Sequence, residues 1–223
     1  MHAKQHLQRV NVADLRPTQM TVGAIEVAAK RRQWAGLKPK ARAELLDTHW
    51  FPTVIGPKGE CFIVDHHHLG QALMQEKVPQ AWAVELANYT GMEQQLFWRL
   101  MSFKHWAHPF DEHGVICQFS NIPQSLIELR DDPYRSLAGV VRTSGGFAKD
   151  SEPYVEFLWA DFFRQHFTLK ELAPNAKGTL ASKVLSKAIE VARSPLAQDL
   201  PGWSGATAAT PAKAPAASKK SKS

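Results

Sequence analysis

The chain has 223 residues, 44% of them hydrophobic, with 7 tryptophans, enough apolar material for the core of one or two domains. Its formal charge is +6, but Lys213, Lys219, Lys220 and Lys222 supply most of that excess from a tail without acidic residues, so net charge alone does not mark a nucleic-acid binder. Two cysteines, Cys61 and Cys117, exclude a four-thiolate zinc site, and no run of roughly 18–20 apolar residues marks a membrane span.

In chain order, the segment before Val10 carries His2, Lys4, His6 and Arg9 but no apolar h-region. No secretory leader is read there, and a cytoplasmic location is expected. Val10 to Leu15 alternates apolar and polar positions and predicts a short strand, broken at Pro17, which has no N–H to donate. Thr18 or Thr21 is placed to cap a helix over 22–34, in which Val22, Ile25, Ala28 and Ala29 keep helical spacing. A second short helix is expected over 39–46. Two apolar runs, 50–55 and 61–65, flank Gly56-Pro57-Lys58-Gly59 and predict a β-hairpin. The second strand ends at Asp65 and runs into His66, His67 and His68, followed by a short helical stripe to Glu76. Residues 81–86 read as a further strand.

From Gly91 the pattern becomes helical. Met92, Leu96, Phe97, Leu100, Met101 and Trp106 predict a helix of about four turns, closed by Pro109. Short elements are expected over 120–150, including a turn at Asp131-Asp132-Pro133-Tyr134. Helices are expected over 152–166, with Trp159 and Phe163 as core rather than a stacking surface, and over 179–193. Beyond Trp203 the composition of Ala, Pro, Ser, Thr and Lys is too poor in large apolar residues to fold alone.

Three constellations carry candidate chemistry. In the first, Asp65-His66-His67-His68 places an acid and imidazoles where a strand hands over to a helix, and amide N–H groups there suit an anion such as phosphate. At most two of three consecutive histidines share one ligand; the alternative is a polar turn whose histidines are hydrogen-bonded in the core. In the second, His105, His108, Asp111 and His113 have residue types suited to a divalent metal, with His108 and Asp111 as ligands if the fold brings them to Asp65. In the third, Arg16-Pro17-Thr18-Gln19-Met20-Thr21 offers a guanidinium, an amide and hydroxyls near a helix N-terminus, a candidate phosphate cradle without the P-loop pattern. Glu26, one turn on, either faces the same pocket or lies on a solvated face. No G-x-S-x-G elbow points to a serine hydrolase.

These segments resemble the ParB-like nuclease family within the broader ParB/sulfiredoxin fold. The resembling stretches are LRPTQMTVGAIEV at 15–27, FIVDHHHLGQAL at 62–73, HPFDEHG at 108–114, DPYRSLAGVVR at 132–142 and EFLWADFFR at 156–164. The resemblance implies an α+β domain: a small mixed sheet with flanking helices over 10–90, a mostly helical portion over 91–203, a short leading segment at 1–9 and a disordered tail from 204. Relatives bind a nucleotide where a strand ends in a D-G-H-H-R-like turn, so the resemblance puts Asp65, His67 and His68 on that turn. Leu69 stands where the phosphate-binding arginine would be, and Arg16, Arg142 or a histidine would then supply the charge. Likeness to free-serine kinases of the same fold makes Glu26 a candidate base.

Three readings follow. In a nuclease, Asp65 and a histidine, with His108 or Asp111, would hold Mg or Mn, and a neutral histidine would act as base in phosphodiester hydrolysis. In a nucleotide-binding phosphotransferase or NTPase, Thr18, Thr21, Gln19 and His66 would cradle phosphates. In an adaptor, the chain would bind DNA without catalysis. The expected partner is nucleic acid or nucleotide, with no membrane, and phosphodiester hydrolysis leads.

Overall fold

The computed structural model describes residues 7–205. Residues 1–6 and 206–223 lie outside the described residues, and with them all but the first two positions of the disordered tail expected from residue 204. The chain folds as an α+β protein, as the resemblance implied, built on a five-stranded mixed sheet.

Strand β1 (Leu7–Asn11) starts earlier than its pattern suggested, and the chain then makes a short 3-10 turn at Val12–Asp14 before β2 (Leu15–Arg16). The single expected strand is thus split, and the sheet explains why. Strands β4 (Phe51–Ile55), β5 (Cys61–Ile63) and β6 (Gln80–Asn88) complete it in the order β1-β6-β4-β5-β2, so β1 and β2 lie at opposite edges. A flat sheet of this order would part its edges by roughly 19 Å at ~4.8 Å per strand. The steps from Asn11 to Leu15 span at most ~15 Å at ~3.8 Å each. The sheet must therefore curl until its edges approach one another.

The expected hairpin is present: β4 and β5 are antiparallel, with Thr53 opposite Ile63 and Ile55 opposite Cys61. Strand alternation sorts their side chains to two cores. Phe51 and Ile63 pack with Val12, Leu15 and Leu73 on one face. Val54 and Phe62 pack on the other with Phe97, Trp98 and Met101.

Helices α1 (Ala24–Gly36) and α3 (His67–Gln75) cover the first face, and α4 (Gln94–Phe103) the second. Helix α2 (Pro39–Thr48) begins with proline at its first turn, where a missing N–H costs nothing. Helix α4 stops short of Trp106, because Lys104 ends it and His105 takes a left-handed conformation at φ 55°. A parallel two-stranded pair, β3 (Thr21–Val22) with β7 (Arg130–Asp131), ties the start of α1 to the C-terminal half.

Where only short elements were expected, the chain forms α5 (Pro133–Thr143). The Asp132 carboxylate accepts from Tyr134 N at 2.9 Å and Pro133 sits in the first turn, so what reads as an Asp-Pro turn is a helix start. Helices α6 (Val155–Arg164) and α7 (Ser182–Arg193) pack on α5 around Leu137, Val141, Trp159 and Phe163, a third core in which the aromatic residues are interior as expected. No helix among the described residues is long and apolar enough to cross a membrane.

Candidate functional site

Residues 17–23 run beside the β5–α3 turn, and its histidines hold the two segments together. The His67 ring is 4% exposed, and its Nε2 accepts the Thr18 N–H at 3.1 Å. The His68 ring is 7% exposed, and its Nε2 accepts the Gly23 N–H at 2.9 Å. An imidazole nitrogen that accepts from an amide carries no proton, so both rings are neutral with the proton on Nδ1. Burial reinforces this, lowering the His67 pKa to about 3 and that of His68 well below the usual range. Glu26 Oε2 stands 3.5 Å from His68 Nε2, yet the ring is neutral and the contact is not an ion pair.

These facts correct several expectations. The Nε2 atoms of His67 and His68 are already occupied, and a ring titrating near 3 is a poor base at neutral pH. Both histidines are latches between α3 and residues 18–23. Most polar groups of the 16–21 junction are engaged within the fold, although the Thr21 hydroxyl is buried without a partner. Its first helical amides are consumed internally: Gly23 by His68, Ala24 by the Asp131 carboxylate at 2.7 Å, Ile25 by the Ser136 hydroxyl at 3.2 Å. Gly23, not Thr18 or Thr21, is the N-cap residue of α1. Thr18 Oγ1 donates to Ile63 O at 2.9 Å, Gln19 Nε2 donates to Thr21 O at 2.6 Å, and Thr21 is fully buried. Arg16 pairs with Glu60 at 3.0 Å and hydrogen-bonds Gln124.

Asp111 does not share a hollow with Asp65. Among the described residues no three His, Cys, Asp or Glu side chains are grouped to hold an ion. Asp111 lines a separate hollow with Met20, Cys117 and Arg130, and its carboxylate accepts from the amides of His113 and Val115, each at 2.9 Å. His108 is stacked among Phe110, Tyr154 and Phe157, with ring centroids 4.3, 4.5 and 4.0 Å away, and burial lowers its pKa to about 3.

What the fold does bring to the turn is α5 and the segment leading into α6. A hollow of about 310 Å³ is lined by Glu26 and Lys30 of α1, by Asp65, His66 and His68, by Arg135 and Arg142 of α5, and by residues of 149–156. A second hollow of about 350 Å³ shares Asp65, Arg135, Glu152, Tyr154 and Glu156 with it, and adds Gln19, His67, His105 and Trp106. Asp65 is exposed and caps the turn, its Oδ1 accepting the His66 N–H at 2.6 Å. His66 has a left-handed backbone at φ 66°; its half-buried ring lies edge-on to Phe51, with centroids 6.3 Å apart, and the residue lines this hollow. Desolvation lowers its pKa, and the Asp65 carboxylate opposes that.

The guanidinium that position 69 lacks thus enters the hollow from another helix. Leu69 is buried in the core beneath the sheet, while Arg135 and Arg142, two helical turns apart on one face of α5, line the hollow. Glu156 bridges them, with Oε1 2.7 Å from Arg142 and Oε2 3.1 Å from Arg135. Arg142 was legible as a source of charge; Arg135, Tyr154 and Glu156 were not. The available signal was the repeat of Arg135 and Arg142 on one helical face behind the Asp132-Pro133 start.

The family described as "Putative ParB-like nuclease" matches residues 8–165. The chain is similar to protein Atu1540 from Agrobacterium tumefaciens, known from a crystal structure, with 37% sequence identity and a TM-score of 0.82 over 91% of this chain and 98% of that one. No curated protein matches the chain.

Proposed function

The chain belongs to the family described as putative ParB-like nucleases, and from that membership we propose that it hydrolyses phosphate esters of nucleic acid or nucleotides in the hollow at the start of α3. One observation carries this reading: Glu26 and Asp65, two of the five carboxylates of the hollow, share its lining with two guanidinium groups, Arg135 and Arg142. Arginine forks match phosphoryl oxygens and stabilise the charge that develops on them. Glu26 is the base, taking a proton from water as the water oxygen bonds to phosphorus. The ester bond breaks, and the leaving oxygen takes a proton from solvent. Asp65 holds the turn in place through its bond to His66 N and faces the same space.

For a divalent ion, which the nuclease reading includes, no group of three His, Cys, Asp or Glu side chains forms a cage among the described residues. Mg is commonly held by one or two carboxylates together with substrate phosphates, and Glu26 and Asp65 are the residues that would hold it; it would polarise the phosphoryl oxygen. No step above depends on it.

The test is hydrolysis of bis(p-nitrophenyl) phosphate and of a single-stranded oligonucleotide, with and without Mg or Mn. Glu26→Gln is expected to lower the rate by about 10²- to 10⁴-fold, the range for a lost general base, with unchanged circular dichroism. Wild-type rates in both Glu26→Gln and Asp65→Asn would remove the site from consideration.

A further inference from the structure

Arg135 is only 8% exposed, and one of its nitrogens is satisfied by Glu156. Its Nε and Nη1 are buried without a hydrogen-bond partner, and so is the Tyr154 hydroxyl. Orphaned buried donors are uncommon and costly, and a charged one more so. These three atoms belong to two residues that line both hollows. Glu156, one carboxylate between two guanidinium groups, leaves a positive charge uncompensated in that trio. The other acids of the hollow, Glu26, Asp65, Asp150 and Glu152, form no hydrogen bond with Arg135.

We propose that Arg135 and Tyr154 form a grip for a terminal phosphate, a phosphomonoester group, at the wall between the two hollows. The proposal rests on the phosphate-ester reading above and names the substrate class it leaves open. The orphaned atoms are shielded from solvent, so an anion reaches them only if neighbouring side chains move aside. Residues 151–154 line the second hollow and end in Tyr154, which takes a left-handed conformation at φ 62° just before α6. A chain phosphate in mid-polymer carries neighbours on both sides and needs a groove open at two ends. A terminal phosphate needs only one entrance and presents three free oxygens, enough for Arg135 Nε, Arg135 Nη1 and the Tyr154 hydroxyl. Burial raises the Tyr154 pKa, so the hydroxyl keeps its proton and donates. Each hollow is at the small end of the ligand-pocket range of about 300–1,000 Å³.

A terminal phosphate could belong to a free mononucleotide or to a phosphorylated strand end, and the experiment separates them. The full chain is titrated calorimetrically with AMP, with an oligonucleotide phosphorylated at one end, with the same oligonucleotide unphosphorylated, and with its circular form. Binding is expected for the phosphorylated ligands, with AMP binding alone marking a nucleotide and strand-end binding marking nucleic acid. Tyr154→Phe should weaken it about tenfold, the loss of one hydrogen bond to a charged group. Its melting temperature should be unchanged or higher, since the hydroxyl it removes has no partner. Arg135→Lys should weaken binding further by removing the fork.

Equal binding of circular and phosphorylated oligonucleotides overturns the grip while leaving phosphate-ester hydrolysis standing. Unchanged affinity in a well-folded Tyr154→Phe does the same. If no phosphate ester is bound or cleaved at all, the functional reading fails together with the grip.

Discussion

The Gly23 amide donates to His68 Nε2 at 2.9 Å, and this bond fixes the position of α1 relative to α3. Gly23 is there because there is no room for anything larger: a Cβ at that position would lie 2.7 Å from Ser136 Oγ and 2.9 Å from the Ser136 backbone. Its φ of −87° is ordinary, so the requirement is space and not backbone freedom. The first turns of α1, α3 and α5 therefore meet at one point, and the hollow opens beside it.

Gly23→Ala should destabilise the protein by roughly 1–3 kcal/mol, the cost of forcing an extra carbon into a packed site. Urea denaturation measures it. A neutral result would mean that α5 can withdraw freely from α1.

His67→Ala leaves the Thr18 N–H buried and unpaired and should cost about 1–3 kcal/mol of stability. His67→Gln, whose side-chain oxygen can accept the same amide, should recover part of that loss. Activity lost in a variant with wild-type stability would assign His67 a direct catalytic part, contrary to its role as a latch.

Acid should weaken the fold through the buried histidines. His67 and His108 titrate near 3 in the folded chain, against about 6.5 when unfolded. Between those values the unfolded chain binds more protons, so stability is full above about pH 6.5 and falls as the pH drops towards 3. The slope is about 1.4 kcal/mol per pH unit for each such imidazole. His108→Phe, which keeps the stack on Phe110, Tyr154 and Phe157, should flatten this acid limb; an unchanged slope in urea midpoints between pH 6 and 4 would contradict it.

The Asp132 carboxylate caps α5 and is 1% exposed, with Arg164 Nη2 2.6 Å away. Burial raises its pKa, and Arg164 opposes that rise. Arg164→Met should cost about 3–5 kcal/mol, because it strands a buried charge. The loss should shrink as the pH is lowered and Asp132 takes up a proton. Chemical denaturation at neutral and acid pH reports both, and an equal loss at the two values would show that the pairing is not electrostatic.

Much of the architecture was legible in the residues. Period-two and helical patterns marked β4, β5, β6, α1, α2 and α3, because the sequence of each records which side turns inward, even in α2, where only the partly buried Leu45 and Leu46 reach the core. The motif stretches placed the chain in its family. Asp65 and Glu26 could be singled out because a strand end and a helix first turn are local features. What the sequence did not contain was the use made of each polar group. His66, His67 and His68 are chemically alike; His66, with a left-handed backbone, lines the hollow while two amides, from residues 18 and 23, capture the rings of the others. Those amides lie 45 or more residues away in the chain, so no local pattern records the pairing. Arg135 and Glu156 come from still later elements, α5 and α6, and only the packing of the third core against α1 brings them to Asp65. Sequence determined which groups were available. The tertiary structure decided which are spent on holding the fold and which are left facing the hollow, because a hydrogen bond made in the interior removes a group from chemistry.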